Sequence, residues 1–179
     1  MSLNHFSEEP DIRVFEPRPL AVPSLRPPGR EWLNGPLVWA IDDWHAPMYY
    51  FPRDCPRIVT WPLPATTAAD REKWWGARDG TRMVAHLEWA WFERVRATTL
   101  YRYVLPAEGY ESLDDVPGAH VNRRTVIPDR IEAIPDLLAA LRDADVEVRF
   151  MPSLLPLKGA WDSTMHVSGN RLRNAEGWR

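Results

Sequence analysis

Several features that identify common classes of protein are scarce or missing in this sequence. Its 179 residues include one cysteine, Cys55, which excludes an internal disulfide and fits a reducing compartment. No apolar run approaches the roughly 20 residues that cross a bilayer, so we expect no membrane partner. The chain does not open with a basic segment followed by an apolar core, so we expect no signal peptide and a cytoplasmic protein.

Standard motifs of catalysis and ligand binding are also missing. The sequence contains no GxGxxG, GxxxxGK(S/T) or GxSxG pattern and no CxxC or HExxH spacing. Among the histidines only His86 has a carboxylate close in sequence, Glu88, and on a strand the two would share a face. A hydrogen-bonded strand face is favoured over a metal site, and Cys55 is favoured as an inert apolar residue over a nucleophile. We therefore predict no metal.

Charge of one sign is not in excess. Lysine and arginine number 22, aspartate and glutamate 25, and the net charge is −3 with both signs mixed along the chain. Proteins that bind nucleic acid as their main partner usually show a basic patch or run. The sequence therefore does not predict nucleic acid as the main partner.

Tryptophan and proline are abundant instead. The chain has 10 tryptophans and 18 prolines, several times and about twice their usual shares. Proline breaks regular structure, so we expect proline-rich loops and short helices and strands. A tryptophan can fill a core or stack on a planar ligand, and for any single tryptophan the core is favoured.

The stretch Leu37 to Arg53, LVWAIDDWHAPMYYFPR, organises the rest of the prediction. Its apolar start, followed by two aspartates, indicates a buried strand and a turn. Pro47 fits the first turn of a helix, which must end before Pro52. The free N–H groups at the start of such a helix suit an anion.

The remaining pattern predicts a single α+β domain over residues 1–179, with a mixed, mostly antiparallel sheet and short helices. Two helices are predicted, one capped by Thr66 or Thr67, and one over Pro135 to Ala144 whose buried stripe would hold Leu137, Leu138 and Leu141. Further strands are predicted at Leu3 to Ser7, Arg57 to Trp61, Thr81 to Trp91, Thr98 to Leu105 and Val146 to Met151, and another extended piece, interrupted by Pro128, within Val121 to Ile134.

The two ends of the chain resemble those of a small family of uncharacterised bacterial proteins. The start, Leu3 to Glu8, fits the pattern L-x-H-F-S-E, and Arg171 to Ala175 spells the family's closing R-L-R-N-A. The resemblance covers nearly the whole sequence. It implies no particular activity.

Two shorter blocks resemble the ADP-ribosyltransferase-like proteins, which bind NAD between two small sheets. His5-Phe6-Ser7 is similar to their first-strand H-G-S/T, and Leu37 to Tyr50 is similar to their I-Y-F-A-D strand and following helix. Tyr49 stands ten residues after Trp39, where that family has a tyrosine that stacks on nicotinamide. The resemblance implies that His5 bonds a ribose hydroxyl and that Tyr49 stacks on the base.

This resemblance also implies the other residues of the site, with departures from the family pattern. Phe6 replaces the glycine, and Ala46 stands nearest to the expected helix serine. Arg123 takes the place of the catalytic glutamate, which is more compatible with the RNA 2′-phosphotransferases of the same fold, where arginines hold phosphate. The residues predicted to bind the cofactor are Ser7, Trp44, His45, Tyr50 and Arg53.

A non-enzymatic interaction module is the alternative function. Its surface would be a flat exposed patch of Trp32, Trp44, Trp74 or Trp75. In that case His5 would be an ordinary core or edge histidine, Tyr49 and Tyr50 would fill space beside the sheet, and Arg123 would lie on a solvated edge.

Overall fold

The computed structural model describes residues 2–77 and 80–178 as two compact units. The first unit takes in the chain up to Tyr49 and then Leu100–Ile134. The second takes in Tyr50–Thr99 and the residues from Pro135 onward. The expectation of one domain over the whole chain concerns the relation between these units and stays a prediction.

The first unit is built on a six-stranded sheet in which every neighbouring pair is antiparallel. The order across the sheet is β6-β7-β2-β1-β5-β8. Its strands are β1 (Leu3–Ser7), β2 (Val38–Asp42), β5 (Leu100–Leu105), β6 (Glu111–Ser112), β7 (Ala119–Asn122) and β8 (Arg130–Ile134).

The second unit contains a four-stranded sheet in the order β10-β3-β4-β9. The β4–β9 pair is parallel, and the other two pairs are antiparallel. Its strands are β3 (Arg57–Trp61), β4 (Met83–Glu88), β9 (Val146–Met151) and β10 (His166–Asn170).

The helices of the described residues are short, as the proline content predicts. Three are α-helices: α1 (Ala68–Asp70), α2 (Phe92–Ala97) and α3 (Leu137–Asp143). A π-helical turn over Arg71–Trp75 follows α1, and five segments are 3₁₀ helices: Glu31–Asn34, Ala46–Tyr49, Trp89–Trp91, Leu155–Asp162 and Leu172–Asn174. None of these helices is long and apolar enough to cross a membrane.

The predicted α+β class with mostly antiparallel sheets is confirmed. The strand, turn and short helix predicted over Leu37 to Arg53 are present as β2 and the 3₁₀ helix Ala46–Tyr49. The strand predicted at Thr98 to Leu105 is β5, which lies inside its sheet between β1 and β8. These segments carry a clear alternation of apolar side chains, which needs no distant contact to be recognised.

One predicted strand, Thr81 to Trp91, is wrong at its C-terminal end. Strand β4 ends at Glu88, and the chain continues through a 3₁₀ turn into α2. Trp89 therefore does not share a buried face with Leu87, and it is 55% exposed. Aromatic residues favour strands on average, but this preference depends on packing against neighbouring strands.

Helix α3 is present, but the predicted buried stripe is only partly right. The Asp136 side chain accepts a hydrogen bond from the Ala139 N–H at 2.9 Å and so caps the helix start. Leu137 and Leu141 are buried, whereas Leu138 is only half-buried. Residues four apart lie on one face, so two leucines are enough to anchor so short a helix.

The first unit has apolar clusters on both faces of its sheet. One contains Leu3, Val38, Ala40 and Tyr103, and the other contains Leu33, Leu37, Ala119 and Val121. Side chains alternate between the faces of a strand, so β2 contributes Val38 and Ala40 to the first cluster and Trp39 to the second. The hydroxyl of the buried Tyr103 donates to the Glu9 carbonyl and accepts from the Ile12 N–H, which ties the segment after β1 to the sheet.

Candidate functional site

Strands β1 and β2 part from each other within the first unit. Their pairing register joins Leu3 to Asp42 and Asn4 to Ile41, whereas β1 pairs with β5 along its whole length. We call the region bordered by His5–Ser7 and Val38–Ala40 the β1–β2 split. Where two interior strands stop pairing, their backbone groups are no longer used by the sheet and can bond to side chains or to a ligand.

The His5 side chain lies at this β1–β2 split. Its Nδ1 is 3.0 Å from the carbonyl oxygen of Trp39. Because a carbonyl only accepts, Nδ1 carries the proton in the neutral ring, and Nε2 carries the lone pair. The ring also packs at 4.7 Å from the ring of Phe15, so its orientation is held from two sides.

Tyr49, at the end of its 3₁₀ helix, also contacts the β1 border of the split. Its ring is parallel to that of Phe6, with an interplanar angle of 2° and a centroid distance of 6.5 Å. His5 and Phe6 are successive strand residues, which point to opposite faces. His5 and Tyr49 therefore flank the same split from different faces, through different aromatic partners.

The turn after β2 contains a carboxylate–imidazole pair. Asp42 Oδ1 accepts from the backbone N–H of His45 at 2.7 Å and lies 2.8 Å from its Nδ1. The two side chains are 19% and 16% exposed. The edge of the exposed Trp44 ring packs on His45 at 4.6 Å. Such a pair holds the imidazole ring in one orientation.

Gly118, in the turn before β7, and His120, on β7, lie beside the Asp42–His45 pair. A Cβ at Gly118, whose φ is +73°, would lie 2.2 Å from His45 Nδ1, so only glycine allows the ring to sit there. His120 is buried on β7 opposite Ala40. Its pKa is lowered, because the effect of burial outweighs the opposite effect of the Asp42 carboxylate. No motif or resemblance in the sequence points to Asp42 or His120 as site residues. The only local signal was the spacing of Asp42 and His45 in one turn.

Ser7 and Arg123 are also in the first unit. The Ser7 hydroxyl accepts from the Glu9 N–H at 3.1 Å, which is a local turn contact. Arg123 follows β7, where it forms an ion pair with Glu111 and places its guanidinium 4.7 Å over the Trp32 ring. None of these described contacts joins Arg123 to His5, so a phosphate-binding role for Arg123 stays a prediction.

Tyr50 and Arg53 belong to the second unit. Tyr50 is half-buried and Arg53 is exposed, and the Arg53 carbonyl accepts from Arg171 Nε at 3.0 Å. Their predicted part in cofactor binding stays a prediction.

The comparisons with known proteins give one result. A family of unknown function (DUF6886) matches residues 4–175. The chain belongs to this family. No curated protein and no solved structure matches it. The prediction of an uncharacterised family is therefore confirmed, and the match runs from β1 to the end of the R-L-R-N-A motif.

That closing motif of the DUF6886 chain has a structural role within the second unit. Arg171 Nε donates to the Arg53 carbonyl, and Asn174 Nδ2 donates to the Asp54 carbonyl at 2.7 Å. Ala175 packs in a cluster with Ile58 and Leu154. The motif thus fastens the C-terminal segment to the residues that precede β3.

The other polar groups considered from the sequence are also buried in the second unit. Burial raises the pKa of the Cys55 thiol to about 12, which supports its interpretation as an inert residue. His86 Nδ1 lies 3.3 Å from the Ile58 carbonyl, and Glu88 accepts backbone N–H groups of Leu154 and Glu176. Over residues 2–77 and 80–178, no three His, Cys, Asp or Glu side chains are grouped as metal ligands.

Proposed function

We propose that this DUF6886 protein binds a nucleotide at the β1–β2 split of its first unit, in the manner of the ADP-ribosyltransferase-like proteins. The observation that carries the proposal is the His5 imidazole bonded across the split to the Trp39 carbonyl. It coincides with the two blocks of sequence that resemble that fold. NAD is the cofactor that this resemblance implies, and a 2′-phosphorylated nucleotide is the corresponding ligand of the phosphotransferases.

In this proposal His5 recognises the ribose. Its Nδ1–H is engaged by the Trp39 carbonyl, so the neutral ring offers Nε2 as an acceptor for a hydroxyl proton. The Phe15 ring limits how far the imidazole can turn. A preorganised acceptor of this kind loses little side-chain entropy when a ligand binds.

Tyr49 supplies the surface for a planar base. The parallel contact with Phe6 fixes the direction of the Tyr49 ring before a ligand arrives. Aromatic faces stack on flat rings in offset geometry, with a gain of about 0.5–1.5 kcal/mol beyond the area buried. The exposed Trp44 ring beside His45 is a second flat surface on the same unit.

Thermal denaturation with added ligand tests the proposal. At a hundred times its dissociation constant, a nucleotide that binds the folded state raises the free energy of unfolding by about 2.7 kcal/mol. Tyr49→Ala should abolish the shift in melting temperature, whereas Tyr49→Phe, which keeps the ring, should retain most of it.

The melting temperature without ligand is the control for this pair of variants. A Tyr49→Ala protein that melts much earlier on its own would mean that Tyr49 fills space beside the sheet instead of binding a base. The nucleotide proposal fails if NAD, ADP-ribose and 2′-phosphorylated nucleotides all leave the melting temperature unchanged at about 1 mM, a concentration that detects even weak binding.

A protein-interaction role is supported by a different observation, in the second unit. Trp89 stacks on Phe150 at 5.2 Å and meets Phe92 at 5.6 Å, while most of its surface stays exposed. This cluster differs from the predicted patch, in which Trp44 is exposed, Trp75 is buried, and Trp32 and Trp74 are half-buried. If the cluster of Trp89, Phe92 and Phe150 is an interface, Trp89→Ser should weaken the association of this protein with its partner, measured by analytical ultracentrifugation.

A further inference from the structure

Of the buried side-chain polar atoms in the described part of the first unit that have no hydrogen-bond partner, the Tyr110 hydroxyl can donate and accept, and two atoms can only donate. These two are Nε of Arg26 and Nε1 of Trp39, and each is shielded from solvent by the surrounding protein. An unsatisfied buried donor destabilises the folded state, and the great majority of buried polar groups in folded proteins are paired. Two such donors therefore call for an acceptor.

The two donors belong to neighbouring groups. The guanidinium carbon of Arg26 lies 5.7 Å from the centroid of the Trp39 ring. Both residues are half-buried, and Val22 and Leu25 on the same proline-rich segment as Arg26 are exposed. The donors thus lie beneath the surface of the unit, under a segment whose own side chains are exposed, and not in its deep core.

Arg26 differs from Arg30 and Arg123 in having no carboxylate partner within the described part of the chain. Arg30 is paired with Asp115, and Arg123 with Glu111. Among the ion pairs of the described residues, none involves Arg26, so no carboxylate neutralises its guanidinium. A guanidinium stays protonated at any ordinary pH. The position therefore combines an uncompensated positive charge with two unused N–H donors.

We propose that Arg26 and Trp39 form a binding site for an oxyanion, such as the phosphate or carboxylate group of a ligand. Both side chains can only donate, so the bound atom must be an acceptor. An anion also compensates the charge, which a neutral carbonyl or a water molecule does not, and its bond to a guanidinium is about twice as strong as a neutral one. The site goes beyond the nucleotide proposal, because any oxyanion of suitable size satisfies the donors.

Nuclear magnetic resonance on the full chain tests this site directly. Each tryptophan gives one indole N–H signal, and Trp39→Phe, which removes the donor and keeps the aromatic bulk, assigns that of Trp39. Inorganic phosphate, pyrophosphate and adenosine monophosphate are added separately, with sodium chloride at matched ionic strength as the reference. We expect the Trp39 signal to move and saturate with an oxyanion and not with chloride.

Variants of two arginines supply the matched comparison. Arg26→Gln and Arg30→Gln make the same change in charge on the same segment, but Arg30 is already paired with Asp115. Arg26→Gln should weaken oxyanion binding at least about tenfold, since a charged hydrogen bond contributes roughly 1.5–3 kcal/mol. Arg30→Gln should leave it nearly unchanged. Arg26→Lys, which keeps the charge without the Nε–H donor, should also weaken it.

The outcomes separate this site from the nucleotide proposal. Saturation by inorganic phosphate or pyrophosphate, lost in Arg26→Gln, supports the site even if no nucleotide stabilises the protein. Tighter binding of adenosine monophosphate than of phosphate would identify a nucleotide as the source of the anion. A Trp39 signal that stays fixed up to about 10 mM phosphate, ten times a millimolar dissociation constant, overturns the site. A movement of the Trp39 signal that chloride also causes, or that persists in Arg26→Gln, overturns the site as well.

Discussion

Replacing Glu88 with alanine should destabilise the second unit through two backbone groups distant in sequence. Glu88 is the last residue of β4, and its side chain is almost completely buried. Its Oε1 accepts from the N–H of Leu154 at 3.2 Å, and both of its oxygens lie 3.2 Å from the N–H of Glu176. One carboxylate therefore anchors both the segment after β9 and the C-terminal segment.

The size of the effect follows from what each N–H loses. A hydrogen bond to a charged group contributes about 1.5–3 kcal/mol, and a buried donor left without an acceptor adds to the cost. The Leu154 N–H is buried and has no water to replace the carboxylate, whereas the partly exposed Glu176 N–H can bind solvent. We expect Glu88→Ala to lower the free energy of unfolding by about 3–5 kcal/mol, a large share of the 5–15 kcal/mol typical of a folded protein.

Urea denaturation followed by circular dichroism measures this loss, provided that the slope of the transition stays constant. Glu88→Gln keeps an amide oxygen that can face both N–H groups, so its loss should be smaller, about 1–2 kcal/mol for neutral bonds in place of charged ones. Glu93→Ala removes an exposed ion pair with Arg96 in the same unit and should change the free energy by less than about 1 kcal/mol. Equal losses for Glu88→Ala and Glu93→Ala would refute the anchoring role.

Two further predictions concern the second unit. Leu141→Ala in α3 should lower the free energy of unfolding by about 2–5 kcal/mol because Leu141 is fully buried, and Leu138→Ala should lower it clearly less. Equal urea midpoints for the two variants would contradict the burial pattern. The raised pKa of Cys55 predicts a thiol that does not react with Ellman's reagent at pH 8 until the protein unfolds. Because the folded state holds this proton more tightly, stability should fall as the pH rises from about 9 towards 12, and Cys55→Ala should reduce that fall.

Local patterns were enough to predict much of the secondary structure. The alternation in β5, the proline-bounded turn after β2 and the start of α3 depend on residues within one segment, so each was predicted in nearly the right place. The α+β class follows from such segments because short strands outnumber short helices. The C-terminal end of Thr81 to Trp91 was wrong because the same aromatic residues suit a strand or a helix, and only packing decides between them.

The candidate sites depended on tertiary structure. His5 meets the Trp39 carbonyl because β1 parts from β2, and a period of two cannot reveal where two strands separate. Gly118 and His120 approach the Asp42–His45 pair only through the pairing of β7 with β2. His5 and Tyr49 could be named from the sequence because a histidine and a tyrosine at these positions match the ADP-ribosyltransferase-like pattern. Arg26 escaped notice because an arginine in a loop is ordinary, and its unused donor becomes visible only when the fold buries it beside Trp39.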